Sequence, residues 1–166
     1  MQKKVLIIGY IYPEPTTNAA GVRMMQLIDF FVSQNFEVTF STTAEKTPFS
    51  FDLKKIGVAE VPIQLNSSTF NKFIDKLQPE IVVFDRFFTE EQFGWRVAEN
   101  CPDALKILDT EDLHFLRKSR EEAIFNPKNT NKNLVFREIS SLLKCDLSLI
   151  ISKKEMEILT EDFRIQ

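Results

Sequence analysis

Apolar positions along the chain follow two alternating rhythms. One is short and unbroken. Val5-Leu6-Ile7-Ile8 and Ile81-Val82-Val83-Phe84 read as strands covered on both faces. Glu37 to Thr42, Val58 to Leu65, Ala104 to Leu108 and Leu147 to Ile151 supply four more. Pro62 assigns the third of these six strands to a sheet edge, because proline cannot donate to a ladder. The other rhythm has the helical period. Met24, Leu27, Ile28, Phe31 and Val32 stripe a helix from Gly21 to Gln34. Phe70, Phe73, Ile74 and Leu77 stripe a second, capped by Ser67 or Ser68 and ended by Pro79. Thr89 with Gln92 predicts a capping box for a helix from Glu90 to Asn100. A helix starting at Glu111 or Asp112 runs through Leu113, Leu116, Ala123 and Ile124. Val135, Ile139, Leu142 and Leu143 mark the next. Ser152 with Glu155 predicts a capping box for the last, which carries Met156, Leu159 and Phe163 on one face. Asn35 is a turn residue, and Phe51 to Ile56 is a helical turn closed by Gly57. Thr43 to Ser50 and Asn126 to Asn133 are polar loops, the second expected to be mobile.

Six strands alternating with helices, without internal repeats, predict an α/β fold: a Rossmann-like, doubly wound parallel sheet with helices on both faces. The expected strand order is 3-2-1-4-5-6, in one domain over residues 1–166. Ligands of such sheets bind at the carboxyl ends of the strands, beside the switch point between strands 1 and 4. Between strand 1 and its helix lie about ten irregular residues, where such connections usually take about two to six. That excess, which includes Pro13, Glu14, Pro15, Thr16, Thr17 and Asn18, suggests a loop kept for binding.

Composition narrows the class. The chain has 166 residues, 43% of them hydrophobic and 27% charged, enough for one domain with a core. Its 16 phenylalanines are expected mainly in the core. No apolar run approaches the ~20 residues of a membrane span. The N-terminus lacks a signal-peptide pattern. Cys101 and Cys145 have no metal or redox spacing and read as reduced thiols of a cytoplasmic protein. A net charge of −3 argues against a nucleic-acid partner. Arg117 to Lys144 holds seven Lys/Arg and three Glu, so this segment is +4 on an otherwise acidic chain. It is compatible with a solvated helical face, an anionic lipid surface on the inner side of a membrane, or a phosphate-bearing ligand.

The fold brings three stretches to one rim. Asn18 to Arg23 opens the first helix. Gly21 there would let backbone N–H groups approach an anion, or would simply give a tight helix entry. Arg23 could pair with a phosphate or bridge Glu14 or Asp85. Asp85-Arg86 follows strand 4. Asp109-Thr110-Glu111-Asp112-Leu113-His114 follows strand 5. Of its carboxylates one suits a helix N-cap; the others suit sugar hydroxyls, a general base, or a cation shared with Asp85. His114 is the single histidine. With only Gly9 and Gly21 after strand 1, both the dinucleotide fingerprint and the P-loop are absent.

Several stretches resemble the N-terminal half of a two-domain GT-B glycosyltransferase of the large group 1, family-4-like type. They are Gly9-Tyr10-Ile11-Tyr12-Pro13-Glu14-Pro15, the helix start Asn18 to Met25, Phe36 to Phe40, Pro79 to Asp85, and Cys145 to Glu155. Asn35-Phe36 replaces that family's usual Gly-His-like turn. The resemblance implies an acceptor-binding domain that works with a C-terminal donor domain, the chain ending where the interdomain linker should begin. It implies a nucleotide-sugar donor as co-substrate, a sugar or lipid-linked acceptor, and no cofactor or metal in this domain. By the same analogy Gly21 approaches the donor diphosphate, with Arg23, Asp85, Arg86 and Asp109 as binding residues. Glu111, Asp112 and His114 are the catalytic candidates on the acceptor side. The 166-residue chain alone is then expected to be inactive. The rival readings are a non-catalytic Rossmann-like regulatory module, with Lys153 as a poor match to the lysine it would need, and a membrane-bound scaffold half.

Overall fold

The computed structural model describes residues 2–125 and 132–165. The polar loop expected from Asn126 to Asn133 lies outside them, except that Lys132 and Asn133 already belong to a helix. Six parallel strands form one sheet: β1 (Lys4–Ile8), β2 (Glu37–Thr42), β3 (Ala59–Pro62), β4 (Ile81–Asp85), β5 (Leu105–Asp109) and β6 (Leu147–Leu149). Their order is β3-β2-β1-β4-β5-β6, as the alternation of patterns predicts. The helices are α1 (Ala19–Ser33), α2 (Ser68–Leu77), α3 (Arg86–Asn100), α4 (His114–Phe125), α5 (Lys132–Lys144) and α6 (Lys153–Glu161). A 3-10 turn, Leu53–Ile56, is closed by Gly57 at φ 79°.

The period-2 geometry of a strand sends alternate residues of β1 into different cores. Val5 and Ile7 pack with Met24, Ile28 and Phe31 of α1 and with Leu53 of the 3-10 turn. Leu6 and Ile8 pack with residues of the other helices, among them Phe70, Phe93, Phe115, Leu142 and Leu159. Each core buries large side chains completely, Phe40 in the first and Phe70, Phe84 and Phe93 in the second. The expectation that phenylalanine fills the core holds for these, whereas Phe30, Phe49 and Phe136 are exposed.

Three helix starts differ from the sequence pattern. α1 begins at Ala19, because Asn18 Oδ1 accepts the Gly21 N–H at 2.6 Å. α3 begins at Arg86, directly on the end of β4, rather than at Glu90. The Thr89 hydroxyl donates back to the Asp85 and Arg86 carbonyls at 3.1 Å, so it does not act as an N-cap. α4 begins at His114, after a turn in which Asp112 N–H meets the Thr110 carbonyl at 2.7 Å. β3 also stops at Pro62 rather than reaching Leu65.

Candidate functional site

The carboxyl ends of β4 and β5 lie side by side, with Asp85 in register with Asp109. Hydrophobic residues precede each, so the pleat and the covering helices bury both carboxylates. Asp85 is 4% exposed. Its Oδ2 accepts the Tyr10 N–H at 2.9 Å, while Oδ1 has no hydrogen-bond partner. Arg86 Nε is 3.7 Å from Oδ1, an ion-pair contact outside hydrogen-bond reach. Burial pushes the Asp85 carboxyl up to about 6, against the pull of the Arg86 charge.

Arg86 turns instead to Glu111, donating to its Oε2 from Nε at 2.7 Å and also from Nη2. Its guanidinium packs over the Tyr10 ring, 5.1 Å from the centroid. Arg86 and Glu111 have φ of 68° and 58°, in the left-handed region that non-glycine residues rarely occupy. Two strained residues holding one another at a strand-end cleft match where proteins concentrate such conformations. Beside them Gly21, Asp85, Arg86 and Glu111 line a small pocket together with Ile11, Pro13 and Met24.

Asp109 is fully buried and fully paired. Arg23 of α1 reaches it as a fork, with Nη2 at 2.6 Å and Nε at 3.0 Å from Oδ1. Neither Glu14 nor Asp85 is the partner of Arg23. Gly21 also has a packing role. A Cβ on it would lie 2.5 to 2.6 Å from backbone atoms of Glu14, and its N–H is taken by Asn18. The helix entry therefore needs glycine for a close approach of the preceding loop. That loop is itself pinned. Glu14 accepts from Thr47, and Phe51 N–H donates to the Pro13 carbonyl at 2.9 Å.

His114 sits at the first turn of α4 with its ring edge against Phe87 and Phe88. Phe88 in turn contacts Tyr10, so an aromatic row links His114 to the Asp85 pocket. Its Nδ1 lies 3.3 Å from the Asp112 carbonyl oxygen, 3.4 Å from Asp112 Oδ1 and 3.7 Å from Glu138 Oε1. Three oxygens around Nδ1 favour a proton on that nitrogen, the tautomer in which Nε2 is the acceptor. Asp112 is held by Arg117 at 2.9 Å. It is not the cap of α4. That role falls to Glu138 of α5, whose oxygens accept the His114 and Phe115 N–H groups at 3.0 and 2.8 Å. Glu155 of α6 accepts from Leu113 N–H at 3.4 Å, so its side chain leaves the capping box expected with Ser152 half made.

The eight sequence-predicted residues thus fall into three groups. Gly21, Asp85, Arg86 and Glu111 share the pocket. Arg23 and Asp109 form a buried brace beside it. Asp112 and His114 form a separate pair behind Phe88. Tyr10, Phe88 and Glu138 were not among the candidates. Glu138 had a readable signal, a lone acid on the apolar face of α5 near Ile139 and Leu142.

Most described cations of the basic segment have a carboxylate partner. Arg117 meets Asp112, Lys118 meets Glu121 and Arg137 forks onto Glu91, while Lys144 is 3.8 Å from Glu90. Both cysteines are free, and burial raises the Cys101 thiol and pushes Cys145 up to about 12, so neither is a thiolate at neutral pH. Among the described residues, no helix is long and apolar enough to cross a membrane, and no group of three or more His, Cys, Asp or Glu is placed to hold a metal ion.

No family model and no curated protein matches the sequence. Solved structures do match the fold, two glycosyltransferases among them. A sucrose-phosphate synthase from Thermosynechococcus elongatus superimposes with a TM-score of 0.68 over 95% of this chain at 13% identity. An alpha-glucosyltransferase, solved in complex with UDP and a 13-mer DNA containing an HMU base, superimposes with a TM-score of 0.53 over 89% of this chain, also at 13% identity. The chain spans 44% and 37% of the lengths of those two proteins. At such identity the likeness is one of fold: a Rossmann-like α/β domain.

Proposed function

We propose that this chain is the acceptor-binding half of a nucleotide-sugar-dependent glycosyltransferase, which moves a sugar to an acceptor hydroxyl when joined to a donor-binding half. The observation that carries this reading is the fold likeness, which runs along nearly the whole of this chain and less than half of its glycosyltransferase neighbours. The nucleotide sugar would be held chiefly by the other half, and this domain needs no cofactor of its own. On its side of the cleft the chemistry falls to the carboxyl-end rim. His114, with Nδ1 turned to Asp112 and Glu138, offers Nε2 to take the proton of the attacking hydroxyl. Asp112 holds the ring in that orientation. Glu111 keeps Arg86 from filling the free side of Asp85.

The test is sugar transfer by the protein that carries both halves, with His114→Ala and Asp112→Asn compared with wild type. General-base help is worth roughly a hundred-fold or more. A loss of that size for His114→Ala, with an unchanged circular dichroism spectrum, supports the assignment. Wild-type rates for both variants remove the pair from the mechanism. Transfer by the 166-residue chain alone, with no partner, refutes the half-enzyme reading.

A further inference from the structure

We infer that Asp85 marks a subsite for one hydroxyl group of a neutral polyhydroxy compound. Assigning that compound to the acceptor rests on the glycosyl-transfer reading; the subsite itself rests on geometry. A buried carboxylate normally has both oxygens hydrogen-bonded, since an unpaired buried acceptor is costly. Asp85 keeps one oxygen open although it is 4% exposed. The pocket it lines has about 10 Å³ of space for a water-sized group. That is roughly the room one water or one hydroxyl oxygen needs. Two other buried carboxylates, Glu90 and Glu155, also have an oxygen without a hydrogen bond, but neither lines this pocket.

The surroundings decide the class of ligand. The cations nearest the pocket are committed, Arg86 to Glu111 and Arg23 to Asp109. An anionic group entering here would meet the carboxylates of Asp85 and Glu111 without a free positive partner. The remaining walls, Ile11, Tyr12, Pro13, Ala20, Gly21 and Met24, are apolar apart from the Tyr12 hydroxyl and suit the C–H face of a ring. A divalent cation would need several ligands, and among the described residues no group of three or more His, Cys, Asp or Glu is placed to hold one. What fits is a group that donates a single hydrogen bond and carries no charge. Arg86, left-handed like its partner Glu111, leaves its Nε 3.7 Å from that oxygen, outside hydrogen-bond reach.

The experiment is amide-resolved NMR titration of the protein with myo-inositol, glucose, glucose 6-phosphate and magnesium chloride. A neutral polyol is expected to move the Tyr10, Asp85 and Arg86 amides saturably, and glucose 6-phosphate to bind no tighter than glucose. Asp85→Asn keeps an acceptor for Tyr10 N–H and is expected to weaken binding by about ten-fold or more. Should that variant misfold, Ala20→Leu fills the pocket without touching the carboxylate and is expected to abolish the same shifts. Tighter binding of the phosphate ester overturns the proposal, as do magnesium shifts centred on Asp85. So does the absence of shifts with both neutral compounds, or unchanged affinity in Asp85→Asn. Polyol binding without sugar transfer by the two-half protein would sink the glycosyl-transfer reading and leave the subsite. Transfer with an unaltered acceptor KM in Asp85→Asn would do the reverse.

Discussion

Asp85 and Asp109 occupy the same place on neighbouring strands, and they are opposite in kind. Each is the last residue of its strand, each is buried, and the two are paired in register. Asp109 receives a bidentate arginine and has nothing left to offer. Asp85 receives one backbone N–H and keeps an oxygen open, with its nearest arginine drawn off by Glu111. The first arrangement stabilises the domain. The second leaves part of its desolvation unmet, which folding alone does not explain and a ligand does. Burial of a charged group is therefore a poor guide to function until its hydrogen bonds are counted.

Breaking the satisfied member has the largest expected effect. Arg23→Ala leaves Asp109 buried without its partner and is expected to cost about 3 to 5 kcal/mol in urea unfolding. A loss below about 1 kcal/mol would mean that the brace is replaceable by water. Next comes Gly21→Ala, where the new methyl meets the Glu14 backbone. Overpacking of this kind costs about 1 to 3 kcal/mol, and a variant as stable as wild type would show that the loop yields easily.

A third effect is a gain, present only at the upper end of the pH range. The Asp85 carboxyl moves from 3.8 in the unfolded reference to about 6 in the folded protein, chiefly through burial. Below both values it is protonated in either state and costs nothing. As the pH rises between them, the unfolded chain ionises first, and the folded state loses ground until the folded group ionises too. Asp85→Asn removes that loss. It is expected to be no more stable than wild type near the lower value and up to about 3 kcal/mol more stable above the upper one, the Arg86 attraction being already contained in the net shift. Thermal melts across that range measure the difference, and a pH-independent difference would place the titration elsewhere.

Much of this was legible in the sequence. The unbroken apolar runs at Val5 and Ile81 and the helical stripes between them were enough to order the sheet, because period and strand alternation are local signals. The rim residues could be named because the carboxyl ends of parallel strands are fixed by topology. Their roles could not. Whether Arg23 reaches Glu14, Asp85 or Asp109 depends on side-chain reach across three elements, and it chose the residue 86 positions away. The start of α4 was missed because a distant group, Glu138, supplies its cap, and the start of α3 for a different reason. Thr89 and Gln92 looked like a capping box, yet α3 springs directly from Asp85 through the left-handed Arg86. No one-dimensional pattern marks a non-glycine residue held in that conformation by an ion pair.

The caps of α4 have a further consequence, and it concerns the order of assembly. The amides of Leu113, His114 and Phe115 are received by Glu155 and Glu138, which come 42, 24 and 23 residues later in the chain. The first turn of this helix therefore cannot be completed as it leaves the ribosome, nor by any local rearrangement. It closes only when α5 and α6 dock. The region around the single histidine is then among the last parts of the domain to be finished, and the first to loosen if the carboxyl-terminal helices lift away.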